Sequence, residues 1–263
     1  MPRFAANLSM LFTEYPFLER FDRAAAAGFQ AVEFLFPYAE DVPGIRAALT
    51  RTGLSQVLFN LPPGDFSIGE RGLANNLAKQ ETFREGVKRG LEIATTLNCP
   101  QLNCLTGIEL PDVPVADQLA TMAENLAYAA EHAQAAGVRQ LVEPLNRYDA
   151  PGFLLGTTTD AVAMLDRAGH PNLWLQFDIY HTQRVEGNMI ETFKRHQARI
   201  PHIQIADSPA RNEPGTGEIN YPFIFSQLDA LGYDGWISLE YRPSTTTESS
   251  LQWLTDWNLW PST

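Results

Sequence analysis

Cysteine is nearly absent: Cys99 and Cys104 are the only two among 263 residues. They flank the start of an apparent strand and make a poor disulfide; with no clustered histidine they also make a poor zinc site. A reducing, cytoplasmic setting is therefore expected. Basic residues are scarce as well, 19 Lys plus Arg against 31 Asp plus Glu, for a formal charge of −12. A surface of that sign repels a phosphate backbone, so nucleic acid is not expected as a partner. A small anion is still admissible, because a local cationic pocket outweighs a screened global field. No apolar run approaches the roughly 18 residues of a membrane span. The opening Met1-Pro2-Arg3-Phe4 does not read as a basic-then-apolar leader, so no membrane association is expected. Low-complexity stretches and Ser/Gly linkers are missing too, which leaves residues 1–263 as one expected domain. Composition is that of a globular chain, 44% hydrophobic and 19% charged.

What the chain has instead is a regular alternation of short apolar runs and longer amphipathic stretches. Strands are expected at Phe4–Leu8, Ala31–Phe34, Ser55–Phe59, Gln101–Cys104, Gln140–Val142, Leu173–Phe177, Ile200–Ile205 and Trp236–Leu239. Helices are expected between them: Phe17–Ala27, Val42–Arg51, Gln80–Leu97, Val115–Ala136, Thr159–Ala168, around Met189–His196 and Tyr221–Leu231, with a last one from Thr247. Gly28, Gly53 and Gly137 stand as stop signals. Eight strand–helix units of roughly 33 residues each are what an α/β fold of the (β/α)8 barrel type requires. The rival is a doubly wound open sheet, which usually places a glycine-rich turn after its first strand. Here that position reads Asn7-Leu8-Ser9-Met10, without glycine. The long Pro- and Gly-containing loop Asn60–Asn76 has the length of a functional element.

In such a barrel the chemistry sits at the C-terminal ends of the strands. The eight strands end near Asn7, Glu33, Asn60, Asn103, Glu143, Asp178, Gln204 and Glu240, each an oxygen-bearing side chain. Taken singly, Asp178 could cap the next helix, Asn7 could fix a turn and Glu240 could make a surface ion pair. Together, Glu143, Asp178 and Glu240 would repel one another unless a cation stood among them. Glu143, Asp178, Gln204 and Glu240 form an all-oxygen set that suits Mg2+, or Mn2+, better than zinc. No organic cofactor is called for. Glu143 and Glu240, from the fifth and eighth strands, would face a substrate from opposite sides, one removing a proton beside a carbonyl and the other returning it. The metal would stabilise the enediolate oxygens charged in between.

Four further residues are candidates for substrate binding. His181, three residues beyond Asp178, could donate to a substrate oxygen. Arg211 could fork onto a carboxylate. Arg71, in Glu70-Arg71-Gly72 of the long loop, is a second anion-binding candidate on a lid element. Asn7 is the fourth. His202 shares a strand face with Gln204 and is expected in the core or beneath the site. Trp253, Trp257 and Trp260 could cover the barrel or join an oligomer interface.

Long stretches of the chain resemble the hydroxypyruvate isomerase family. They include Ala6-Asn7-Leu8-Ser9-Met10-Leu11-Phe12, Val32-Glu33-Phe34 with Phe36-Pro37-Tyr38, and Asn60-Leu61-Pro62-Pro63-Gly64-Asp65 with Gly69-Glu70-Arg71-Gly72. Gln176-Phe177-Asp178-Ile179-Tyr180-His181, Glu213-Pro214-Gly215-Thr216-Gly217-Glu218-Ile219-Asn220-Tyr221 and Glu240-Tyr241 with Pro243 extend the likeness from about residue 3 to 255. That family belongs to the xylose-isomerase-like barrels, beside the ketose 3-epimerases and close to isomerases of 2-oxo-tetronates. The resemblance implies interconversion of hydroxypyruvate and 2-hydroxy-3-oxopropanoate (tartronate semialdehyde), in glyoxylate and acid-sugar metabolism. It implies the same metal set, with Glu143 and Glu240 as acid and base, and a homodimer. The epimerases usually carry His where this chain has Gln204. Met1–Asn7 and Leu58-Phe59-Asn60 lean towards the 2-oxo-tetronate enzymes, whereas Asp178–His181 and Pro214–Gly217 lean towards hydroxypyruvate isomerase. A small anionic 2-oxo acid is the expected substrate. The rivals are a 3-epimerase of a neutral ketose, which needs no carboxylate-binding Arg211; an endonuclease of the same barrel group, which needs a His-rich zinc cluster and a basic groove; and a binding protein without turnover.

Overall fold

The computed structural model describes residues 2–260. Eight parallel strands form a closed barrel in chain order: β1 (Arg3–Asn7), β2 (Ala31–Glu33), β3 (Ser55–Asn60), β4 (Gln101–Cys104), β5 (Arg139–Val142), β6 (Leu173–Asp178), β7 (His202–Ile205) and β8 (Trp236–Leu239). Helices alternate with them: α1 (Arg20–Ala26), α2 (Val42–Thr52), α3 (Gln80–Leu97), α4 (Val115–Ala135), α5 (Thr158–Ala168), α6 (Ile179–Val185), α7 (Met189–His196), α8 (Tyr221–Ala230), α9 (Thr247–Ser250) and α10 (Gln252–Asp256). The expected (β/α)8 fold is thus observed. Among the described residues, no helix is long and apolar enough to cross a membrane.

Three expectations need correction in detail. The stretch at Phe17 begins as a 3-10 turn, Phe17–Glu19, before α1. The segment from Thr247 is two short helices, α9 and α10. α6 was not expected. It follows β6 without a break because the Asp178 carboxylate accepts the His181 N–H and caps it. Its first four residues are all buried, so it lacks the one-sided pattern that marks a helix in sequence.

Contacts cluster into two compact units, Met1–Leu35 with Pro43–Val57 and Asp178–Thr263, and Phe36–Val42 with Leu58–Phe177. In the first unit β1 pairs with β2 (Asn7 beside Glu33) and with β8 (Phe4 beside Ile237), and β7 pairs with β8 (Gln204 beside Ser238). The N-terminal strand ends rest on an aromatic cluster. Phe4 meets Phe225 and Trp253 edge-on, each at 5.5 Å, and Trp253 meets Trp257 at 5.3 Å. Trp260 packs on Phe29 at 5.0 Å, directly over Gly28, where a Cβ would come within 2.6 Å of the indole nitrogen. The C-terminal tryptophans therefore pack against this unit's own core, Trp253 buried and Trp257 and Trp260 half-buried.

In the second unit β3, β4, β5 and β6 pair in sequence, with Asn60 beside Asn103, Cys104 beside Val142 and Val142 beside Leu175. Both cysteines are free and buried, and burial pushes the Cys104 thiol up to about 12.

Candidate active site

Strand ends set the polar groups of the first unit. Asp178 closes β6, Gln204 lies on β7 and Glu240 follows β8; all three are buried. Asp178 spends Oδ1 on the N–H of His181, 3.1 Å away, so the bland reading of this residue as a helix cap is correct as far as that oxygen goes. Its Oδ2 lies 3.7 Å from His181 Nε2 and 3.8 Å from the Arg211 guanidinium. The same guanidinium donates to Glu240 Oε2 in a short charge-assisted bond. One cation thus lies against two buried carboxylates.

The loop after β7 delivers that arginine. The Asp207 carboxylate gathers the N–H groups of Ser208 at 2.9 Å, Gly215 at 2.8 Å and Ile219 at 3.1 Å. Gly217 lies so close that a Cβ there would fall 2.0 Å from the Ser208 carbonyl. Arg211 itself takes a left-handed backbone, φ 59°, with its N–H on the Asp207 carbonyl and its carbonyl accepting from Arg242 N. Its guanidinium lies 5.1 Å from the Tyr180 ring centroid. Backbone and stacking together aim it at Glu240.

Burial dominates the electrostatics. It pushes Glu240 up to about 8 and Asp178 up to about 6, with Arg211 opposing both shifts. His181 is held well below its ordinary value by burial, reinforced by Arg211 and Arg184, so it is neutral near pH 7 and can donate one ring N–H.

Beneath these groups lies a network that sequence reasoning noted only as a strand end. Glu33 is 1% exposed and accepts from Asn7 Nδ2, Gln204 Nε2 and His202 Nε2, each at 2.8 Å. Burial opposes its charge, but His202 and Gln204 hold it below the usual carboxylate range. The signal was there: Glu33 is the one charged residue in Ala31-Val32-Glu33-Phe34. Asn7, expected to touch substrate, is fully buried. Its Oδ1 accepts Ser9 N–H at 3.0 Å, and its nitrogen serves Glu33 and, at 3.5 Å, Glu240. Its amide is committed to supporting two carboxylates. Arg211, expected on a substrate carboxylate, is here on the protein's own.

The second unit contributes a different arrangement. Glu143, just past β5 and 5% exposed, accepts from Asn103 Nδ2 at 3.1 Å. Asn103 also donates to Asn60 Oδ1 at 3.0 Å, so the amides of β3 and β4 and the carboxylate after β5 form a ladder. Arg71 lies in this unit too. It stacks on Phe66 at 4.4 Å and donates to the Glu70 carbonyl at 2.8 Å, while Glu70 pairs with Lys79. The loop is held at Asn75, whose N–H reaches the Thr106 carbonyl and whose amide reaches Ile108 and Gln118, while Phe66 and Ile68 are exposed.

The chemistry of the donors fits a hard divalent cation. Asp178, Glu240 and the Gln204 carbonyl in the first unit, and Glu143 in the second, are all oxygen donors. Asp178 and Glu240 already lie against a positive group, and burial disfavours their charge without one.

Comparison with known proteins agrees with this architecture. A family model described as xylose isomerase-like TIM barrel matches residues 21–257. The chain is 49% identical over 254 residues to 2-oxo-tetronate isomerase of Cupriavidus necator, spanning 97% of this chain and 98% of the relative. It is 46% identical over 255 residues to hydroxypyruvate isomerase of Escherichia coli, spanning 97% and 98%. A crystal structure from Brucella melitensis, described as an AP endonuclease of family 2, superposes with a TM-score of 0.94 at 43% identity, covering 97% of this chain and 99% of that one. The chain belongs to the xylose isomerase-like TIM barrel family and is an isomerase.

Proposed function

We propose that the chain interconverts the ketone and aldehyde forms of a short 2-oxo acid bearing a hydroxyl on C3, with hydroxypyruvate and 2-hydroxy-3-oxopropanoate as the pair. One glutamate of Glu143 and Glu240 removes a proton from C3. The electron pair forms the C2–C3 double bond of an enediolate, a proton is delivered to C2, and the hydroxyl proton moves from O3 to O2. His181, neutral and buried, donates to a substrate oxygen and steadies the charge that develops there. A divalent cation held by Glu143, Asp178, Gln204 and Glu240 would supply Lewis-acid stabilisation of those oxygens. Arg211, which lies on Glu240 and Asp178, would turn to the substrate carboxylate when a divalent cation takes its place between them, with Arg71 as a second candidate.

One observation carries the reading. At the ends of β6 and β8 the buried carboxylates Asp178 and Glu240 meet one guanidinium, with the His181 imidazole 3.7 Å from Asp178, which gathers a base, a hydrogen-bond donor and a place for positive charge. The relatives named for hydroxypyruvate and for 2-oxo-tetronates support the reaction class, since both substrates are 2-oxo acids with a hydroxyl on C3. They favour neither substrate, so a 2-oxo-tetronate, one carbon longer, is the second reading. DNA cleavage, the activity in the Brucella protein's description, fits this chain poorly: five histidines and a charge of −12 suit neither a His-rich metal cluster nor a polyanion.

Proton NMR of the protein with hydroxypyruvate or a 2-oxo-tetronate, in Mg2+ and in EDTA, tests this. Conversion of hydroxypyruvate at the higher kcat/KM supports the first reading. A preference for the four-carbon acid replaces it with the second, and turnover of neither contradicts both.

A further inference from the structure

Gln204 raises a question of orientation. A side-chain amide has an acceptor end and a donor end, and only the acceptor end can ligate a cation. Nothing in the residue itself chooses between them. The choice is made by what lies behind it, and behind it is Glu33.

Glu33 sits at the end of β2, 1% exposed, with its Oε1 accepting from Gln204 Nε2 at 2.8 Å. An ionised carboxylate only accepts, so it takes the nitrogen and turns the Gln204 carbonyl away. The reversed amide would put two oxygens against each other in a buried place. The surroundings keep Glu33 in this role. His202 and Gln204 share one face of β7, two residues apart, so both reach the same carboxylate. His202 Nε2 lies 2.8 Å from Glu33 Oε2 and is fully buried. Asn7, beside Glu33 in the β1–β2 register, donates to Oε1 at 2.8 Å. Asn7 is itself fixed, because its oxygen accepts the Ser9 N–H. Each donor on Glu33 thus has one admissible orientation.

We infer that Glu33 is a positioning residue that fixes the Gln204 amide with its oxygen towards the divalent cation. This rests on the metal reading given above. Where an imidazole ligand is set by the partner of its second nitrogen, an amide ligand is set by an acceptor on its nitrogen, and Glu33 is that acceptor. Glu33→Leu removes the constraint, because it takes away the acceptor on Gln204 Nε2; Glu33→Gln would not, since the fixed Asn7 N–H holds an oxygen at that position.

The test is a double-mutant cycle on Mn2+ affinity, read from the electron paramagnetic resonance of free Mn2+. The four proteins are the unmodified chain, Glu33→Leu, Gln204→Leu and the double variant, each checked for fold by circular dichroism. Glu33→Leu is expected to weaken binding about tenfold or more. The same change in the Gln204→Leu background is expected to cost less than about threefold, since the amide it orients is gone. Should Glu33→Leu fail to fold, Glu33→Asp carries the cycle, keeping the charge while withdrawing it from Gln204. A loss of equal size in both backgrounds would mean that Glu33 acts by charge or packing alone and would overturn the inference, as would unchanged affinity in a folded Glu33→Leu or Glu33→Asp protein. If the unmodified chain binds no Mn2+ at millimolar concentration, the metal reading fails and takes this inference with it.

Discussion

Glu240 and Glu143 are equally buried, each 5% exposed, yet the protein accommodates their charge in two different ways. Glu240, in the first unit, is in the same cluster as Asp178 and is met by the Arg211 guanidinium. Glu143, in the second, rests on the Asn103 amide, which in turn donates to Asn60. Arg211 brings a full positive charge to Glu240 and Asp178, whereas the Asn103 N–H orients the Glu143 carboxylate without adding charge. The first arrangement is costly and responsive to pH and cations. The second orients its carboxylate through neutral N–H donors. A proton-transfer enzyme has use for both, since each carboxylate is held in place while a proton is taken or returned.

The largest way to break this contrast is to remove the cation. Arg211→Met keeps the packing on Tyr180 but leaves Asp178 and Glu240 without their counter-charge. Loss of one partner from a buried pair costs about 3–5 kcal/mol, so the metal-free variant is expected to melt well below the unmodified protein at pH 7.5. Mn2+ should recover more of the melting temperature in the variant than in the unmodified chain. An unchanged melting temperature without metal would show that the guanidinium is not what lets these carboxylates be buried.

A smaller effect sharpens the same contrast by pH. Glu240 and Asp178 have folded values raised to about 8 and about 6, so between roughly pH 4 and 8 the native state binds more protons than the unfolded chain. Their contribution to stability therefore falls as pH rises through that window. Glu33, held low by His202 and Gln204, acts in the opposite sense: its contribution is lost as pH falls below the ordinary glutamate range. Scanning the melting temperature of the metal-free protein from pH 5 to 8 should give a steeper decline for the unmodified chain than for Glu240→Gln. Each kcal/mol is worth about 2–4 °C for a chain of this size class. Parallel curves would contradict the raised value of Glu240.

The fold and most of the rim were legible in the sequence for one reason. A fully buried parallel strand reads as an apolar run, and an acid or amide immediately after it has few structural excuses. That is how Asp178, Gln204, Glu240 and Glu143 stand out. Glu33 ends an equally apolar strand, but a single sequence offers no way to see that His202, 169 positions away, meets it. Arg211 was visible as a cation near the rim, though not as the partner of Glu240. Its aim depends on a left-handed backbone and on a loop wound around the Asp207 carboxylate, and neither leaves a periodic trace. α6 was hidden because a short helix buried on every side of its first turn has no polar face to reveal its period.

The central claim is that Glu143 and Glu240 move the proton between C3 and C2. The most direct measurement follows hydroxypyruvate by proton NMR in D2O with Mg2+, for the unmodified chain and for Glu143→Gln and Glu240→Gln in folded form. The account predicts solvent deuterium at C2 of the product with the unmodified chain, and a loss of turnover of about 10²–10⁴-fold in each variant. Near-normal rates in both variants would contradict it.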